Sequence, residues 1–264
     1  MTHDFAVTEK YAIFTDLQIH FDLMEIMRGR SPVIIYSRKV PRVGIMHKYA
    51  NDDNEMSWIV PPGLNIFHVA NAWEEDGGDD TVVMVASYAL SAEQAWENHD
   101  LTQFRMEKIV INVKDKTLER YPLSTKVLEF GGVNPAYAKK KTRYIYSAML
   151  DTPELSVRLV KLDASIIDCD DYILASQLYG SACIRGEPIF VPKDPNNLDA
   201  EEDDGYLITY VHNENTNESI FFVMDAKSPS FETIAAVKLP LRVPSGFHEI
   251  FVPDNILNKL NIIT

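Results

Sequence analysis

The residues best suited to chemistry in this chain are its seven histidines: His3, His20, His47, His68, His99, His212 and His248. A neutral imidazole binds transition metals, and its proton exchanges near physiological pH. None of the seven forms an HExxH, an HxH or another short metal-binding spacing. Taken by spacing alone, each is a structural or surface residue. His99, at the end of a predicted helix, suits a favourable contact with the helix dipole. His20 and His47 alternate with apolar neighbours, and His212, in Val-His-Asn-Glu, reads as structural. Three histidines stand apart because of their contexts. His3 lies in His-Asp-Phe-Ala-Val-Thr-Glu, His68 in Phe-His-Val-Ala-Asn-Ala-Trp-Glu-Glu, and His248 in Arg-Val-Pro-Ser-Gly-Phe-His-Glu. Cysteine chemistry is excluded as an organising principle. Only Cys169 and Cys183 occur, without a CxxC, which fits a reducing compartment rather than a disulfide framework.

Widely spaced ligands need a scaffold that brings distant strands together. With 264 residues and 46% hydrophobic content the chain can bury a sizeable core. Its strongest signals are short β-rich runs closed by turn residues: Tyr11 to Leu17, Val33 to Ser37, Arg42 to Tyr49, Ile66 to Trp73, Thr81 to Ala86 and Lys108 to Val113. They continue at Arg143 to Met149, Val157 to Leu162, Tyr172 to Ala175, Glu187 to Val191, Tyr206 to Val211, Ile220 to Met224 and Ile234 to Leu239. This is an all-β pattern, interrupted by one predicted helix over Ser91 to Asn98 with Ser91 as its N-cap. The apolar tail after Pro253 is ambiguous.

Three segments repeat one design, a strand, an acidic turn and a second strand, around Asp115, Asp163 and Asp225. Their spacing of about 50 to 60 residues is that of a β-propeller blade. The runs suffice for roughly three to four blades, fewer than closed propellers usually have, so the chain reads as an incomplete ring. The acidic stretch Asp199 to Asp204 reads as a solvated loop, and the basic run Lys139, Lys140, Lys141 and Arg143 as a charged turn.

A net charge of −14 argues against nucleic acid as a partner. No stretch reaches the roughly 20 apolar residues of a membrane-spanning helix. The start, Met1-Thr2-His3-Asp4-Phe5, has the features of neither a signal peptide nor a transit peptide.

The three histidine contexts resemble three of the four histidine motifs of the carotenoid cleavage dioxygenases. The resemblance continues through Asn134-Pro135-Ala136-Tyr137, Gly186-Glu187-Pro188 and Asp203-Asp204-Gly205-Tyr206. Asn71 to Trp73 and Val223 to Pro229 look most like the fourth, plastid and plastoglobule-associated plant subfamily. The resemblance implies that residues 1–264 are the C-terminal part of a seven-bladed propeller domain. It implies Fe2+ held by His3, His68 and His248 with a further histidine from upstream, and Glu129 and Glu187 as partners of the ligand imidazoles. The implied activity is cleavage of a carotenoid or apocarotenoid double bond by O2, at the 9,10 position, in a plastid, with peripheral contact to membrane or plastoglobule. It follows that this span alone would hold iron poorly and release little product. The rival reading is a truncated, non-catalytic propeller fragment that binds a partner or an apolar ligand. The chain departs from the family pattern at Arg185, Ser245 and Glu249; a carboxylate at Glu249 could rotate His248 or compete as a ligand.

Overall fold

Alternating β-branched and aromatic residues make strands that bury one face each way, and here consecutive strands fold back on one another as antiparallel meanders. The computed structural model describes residues 4–61, 63–75, 80–89, 104–151, 156–166, 172–180, 182–197, 199–244, 246 and 248–257. The predicted helix at Ser91 to Asn98, and His99 with it, lies outside them.

Among the described residues four antiparallel sheets follow in chain order. The first joins β1 (Phe5–Val7), β2 (Tyr11–Asp16), β5 (Arg42–His47) and β6 (Ser57–Ile59), with β3 (Ile19–Phe21) and β4 (Val33–Ile35) forming a separate hairpin. The second is β7 (Asn65–Glu74), β8 (Thr81–Ala89), β9 (Phe104–Asn112) and β10 (Thr117–Pro122). The third is β11 (Leu128–Gly132), β12 (Tyr144–Asp151), β13 (Ser156–Asp163) and β14 (Ile173–Leu178). In the fourth, β15 (Cys183–Arg185) and β16 (Ile189–Pro192) both pair with β17 (Gly205–Asn213), followed by β18 (Glu218–Asp225) and β19 (Thr233–Lys238). These antiparallel sheets of four or five strands, wound in chain order, are arranged as propeller blades are, and every run read from the sequence coincides with one of the strands.

Period-two alternation sends each blade's side chains into two cores. On β8, Val82, Met84 and Ala86 join a core with Ile13 and Ile45 of the first sheet, whereas Val83 and Val85 join Ile145 and Val160 of the third. On β13, Val160 and Leu162 face the second sheet while Leu159 faces Leu207 and Met224 of the fourth. The blades therefore stack face to face, with β1, β7 and β11 side by side at their inner edges.

The acidic repeat marks the last hairpin of successive blades. Asp163 and Asp225 end β13 and β18, and their carboxylates accept from Ser165 N at 3.0 Å and Lys227 N at 2.9 Å. In the second sheet this turn-capping role belongs to Asn112, which accepts from Asp115 N at 2.8 Å. The equivalent residue there is thus Asn112 rather than Asp115.

The acidic stretch is not simply a solvated loop. The Glu202 carboxylate accepts from Arg143 N at 2.9 Å and Tyr144 N at 2.8 Å, and the Asp203 carboxylate accepts from buried Lys161 Nζ at 2.6 Å. It bolts the third blade to the fourth. The basic run is the charged turn expected of it, with Lys141 paired to Glu75 and Arg143 to Asp163. Beyond the predicted elements there is a short helix, α1 (Leu23–Met27), whose N-cap Asp22 accepts from Met24 N at 2.9 Å. The ambiguous tail carries a second single turn, α2 (Asp254–Leu257).

Gly131 marks a close approach of β11 to β7 and β9. An added Cβ there would lie 2.8 Å from Met106 Cε and 2.9 Å from Ala70 Cβ. Gly131→Ala is accordingly expected to cost about 1–3 kcal/mol by overpacking. A urea midpoint equal to that of the parent would show instead that the inner strands have slack.

Candidate metal centre

His68 sits on β7, the inner edge of the second blade. The ladder with β8 slips on either side of it, between Ile66 and His68 and again between Val69 and Asn71. Such bulges re-aim a side chain that a regular strand would hold in register. Across the blade junction, β11 is bulged between Glu129 and Gly132 and carries Glu129, only 3% exposed. His68 Nδ1 donates to Glu129 Oε2 at 2.6 Å. The same oxygen accepts Phe130 N at 2.6 Å, and Oε1 accepts from buried Ser87 Oγ at 2.5 Å. Ser87 is the ladder partner of His68, so the second blade supplies two of the three donors.

His248 reaches the same place by another route. After β19 the chain returns to the inner end of the fourth blade, where the strand is broken between β15 and β16 at Gly-Glu-Pro. In that gap Glu187 Oε2 accepts from His248 Nδ1 and from Glu249 N, each at 3.3 Å. The imidazoles of His68 and His248 then lie edge to face, ring centres 4.9 Å apart and planes at 81°. Together with Asp4, Val69, Gly131 and Glu187 they line a hollow of about 320 Å³.

Burial by itself pushes the His68 pKa down, but the hydrogen bond and charge of Glu129, with Asp4 and Glu187 nearby, outweigh it and hold the pKa above the usual histidine range.

This arrangement suits a transition metal. A ligating histidine normally gives its other ring N–H to a carboxylate or carbonyl, which fixes the tautomer and leaves the remaining nitrogen to bind. Both imidazoles do so through Nδ1. With metal–nitrogen bonds near 2.1 Å, two imidazoles on adjacent positions would have ring centres about 4.5 to 5.2 Å apart, a range that contains the observed separation. Among the described residues no group of three or more His, Cys, Asp or Glu is close enough to hold an ion. His3 lies outside the described residues. Its neighbour Asp4 is at the site, where Oδ2 accepts from Val69 N at 2.7 Å.

Of the residues singled out from sequence, His68, His248, Glu129 and Glu187 are brought together. His212 is buried and bonded to Ser219 Oγ at 2.9 Å, as a structural residue should be. Glu249 is not among the residues lining the hollow. Its carboxylate packs on Gly186, where an added Cβ would meet Oε1 at 1.5 Å. Ser245 lies outside the described residues, and Arg185 simply ends β15.

Sequence reasoning missed Asp4, Ser87 and Phe130. Asp4 and Phe130 each stand beside a residue already singled out, whereas Ser87 falls one residue past the end of its predicted strand. Phe130 is unusual: its φ of 55° is left-handed, which costs a bulky residue about 1–3 kcal/mol. Beside the hollow, a groove of about 590 Å³ runs from Glu187 and Glu249 along Val133, Pro188, Ile189, Phe190 and Phe251, and its lining is largely apolar.

A family model described as retinal pigment epithelial membrane protein matches residues 1–253. The chain is 46% identical over 261 residues to the probable chloroplastic carotenoid cleavage dioxygenase 4 of Arabidopsis thaliana, covering 98% of this chain and 44% of that protein. It is 42% identical over 252 residues to the chromoplastic zeaxanthin 7,8(7',8')-cleavage dioxygenase of Crocus sativus, covering 96% of this chain and 68% of that one. Apocarotenoid oxygenase from Synechocystis, in its Glu150Asp and its cobalt-substituted structures, shares the fold with a TM-score of 0.78 at 23% identity, over 94% of this chain and 52% of that one.

Proposed function

We propose, from the premise that this chain belongs to the carotenoid cleavage dioxygenase family matched by the retinal pigment epithelial membrane protein model, that it builds the C-terminal half of a seven-bladed propeller oxygenase. The reading assigns Fe2+ to His3, His68, His248 and a fourth histidine outside this span. When bound, ferrous iron would supply the dioxygen chemistry that splits a carotenoid or apocarotenoid double bond into two carbonyl ends. The observation that carries the reading is the pair of imidazoles 4.9 Å apart, each with Nδ1 on its own carboxylate, at the end of an apolar groove.

The chain's own residues have separable tasks in this scheme. Glu129 and Glu187 keep the proton on Nδ1, so that Nε2 of each imidazole carries the lone pair that would bind the metal. Ser87 occupies the second oxygen of Glu129 and stops the carboxylate from turning. The apolar groove takes a polyene, excludes water and orients one double bond toward the imidazoles. No side-chain acid or nucleophile is required of it. Cleavage at the 9,10 position and residence in a plastid are part of the same proposal. So is a peripheral contact with membrane or plastoglobule, which is supported by the apolar face around α1, where Leu23 is 65% and Met27 80% exposed. No helix among the described residues is long and apolar enough to cross a membrane.

The test compares this chain with a version extended upstream through the fourth histidine motif. After anaerobic loading with ferrous iron, retained metal and aldehydes released from β-carotene under oxygen are measured. The extended protein is expected to hold iron and release apocarotenoid aldehydes, and His68→Ala and His248→Ala each to abolish both. Full iron retention in those two variants would overturn the ligand assignment.

A further inference from the structure

We propose that Phe130 is a positioning residue, whose strained backbone and aromatic ring together fix the orientation of the His68 imidazole. Two independent features meet in it. Its N–H donates to Glu129 Oε2, the oxygen that also receives His68 Nδ1, and its left-handed φ of 55° sets where the ring stands relative to that peptide. The ring stacks on the His68 ring at 5.3 Å with an interplanar angle of 29°, and it stands edge-on to His248 at 6.4 Å and 79°.

A left-handed backbone also occurs at Phe231, a core residue of the fourth blade, but at Phe130 it coincides with ring contacts to both imidazoles of the site. Left-handed strain persists where surrounding structure over-determines it, and it concentrates where a side chain must be aimed. Here the bulge in β11 supplies the constraint and the imidazole is what is aimed. A hydrogen bond at Nδ1 leaves the plane of an imidazole some freedom to rock about that bond. A flat ring against its face removes that freedom, and an aliphatic side chain of similar bulk would not match the plane. Phe130 thus holds the ring while Glu129 sets its tautomer.

The inference deepens the metal-centre reading and rests on it for the purpose of the geometry, so the experiment has two arms. The first uses metal-free protein at mildly alkaline pH and follows the His68 Nδ1–H by nitrogen-edited NMR, alongside thermal melting. The parent and Phe130→Tyr are expected to show a protected Nδ1–H. In Phe130→Leu and Phe130→Gly it should exchange at least about tenfold faster through local opening, even though glycine relieves the left-handed strain and keeps the melting temperature of Phe130→Gly from falling. Equal protection in all four proteins, or none in the parent, would overturn the proposal. The second arm titrates cobalt(II), with Phe130→Leu and Phe130→Gly expected to bind about 10- to 100-fold more weakly than the parent and Phe130→Tyr. Equal cobalt affinity in all four proteins counts against the proposal. A parent that binds no cobalt while the NMR pattern holds removes the metal reading and leaves the positioning role standing.

Discussion

Glu129→Ala is expected to weaken cobalt(II) or iron(II) binding about 10- to 100-fold, with the fold retained. The carboxylate is 3% exposed and satisfies three donors: His68 Nδ1, Phe130 N and Ser87 Oγ. Removing it leaves the imidazole free to change tautomer and place its proton on the nitrogen that must bind. Glu129→Gln should fall at the lower end of the range. The hydroxyl of Ser87 can turn and accept from the new amide, which leaves the amide oxygen toward His68 and Phe130. Glu187→Gln should also be milder, because its hydrogen bond to His68's partner imidazole, His248, is longer at 3.3 Å and the His248 ring is exposed. Isothermal titration with cobalt on the three variants tests the order. An alanine variant that binds as tightly as the parent would show that Glu129 does not set the tautomer.

The largest effect on stability is expected from Asp203→Ala, about 3–5 kcal/mol, because it strands a buried cation. Lys161 projects from β13 into the junction with the fourth blade, where Nζ donates to Asp203 Oδ2 at 2.6 Å and to Ala226 O at 3.2 Å. It also lies 4.0 Å from the centre of the Tyr144 ring. Its side chain is 6% exposed, so water cannot take over from the lost carboxylate. Replacing both partners by apolar residues, as in Lys161→Met with Asp203→Leu, should recover most of the loss. Urea denaturation followed by circular dichroism measures both. If Asp203→Ala unfolds at the parent's midpoint, the pair is not as dry as its burial indicates.

The blades were legible because their central strands carry long β-branched runs. β8 is almost wholly buried and reads as a strand under any rule. The strands that escaped notice are short: β1, β3, β6 and β15 have three residues each. β11 was hidden by its two glycines, since Leu-Glu-Phe-Gly-Gly has no apolar period. α1 was hidden for the opposite reason: Leu-Met-Glu-Ile-Met is too apolar to look like a surface turn.

At the site, spacing could not reveal His68 and His248, because ligands from different blades share no local period. Only the words around them did so. Ser87 had no such word, and nothing in a sequence announces that a phenylalanine will adopt a left-handed backbone. The acidic stretch misled because charge density measures composition, whereas Glu202 and Asp203 are decided by which backbone amides and which lysine lie opposite.

Three bonds that close the site join residues far apart along the chain: 61 positions for His68 and Glu129, 61 for His248 and Glu187, and 65 for Val69 and Asp4. Within a blade, by contrast, consecutive hairpins pair near neighbours. The order of events in folding should follow from that difference. Hairpins close early, because short loops cost little entropy, and blades dock afterwards. The imidazoles would meet their carboxylates last, and in the native state that junction would be the first to part. An excursion that separated two blades by a few ångströms would dismantle the centre while leaving every sheet intact.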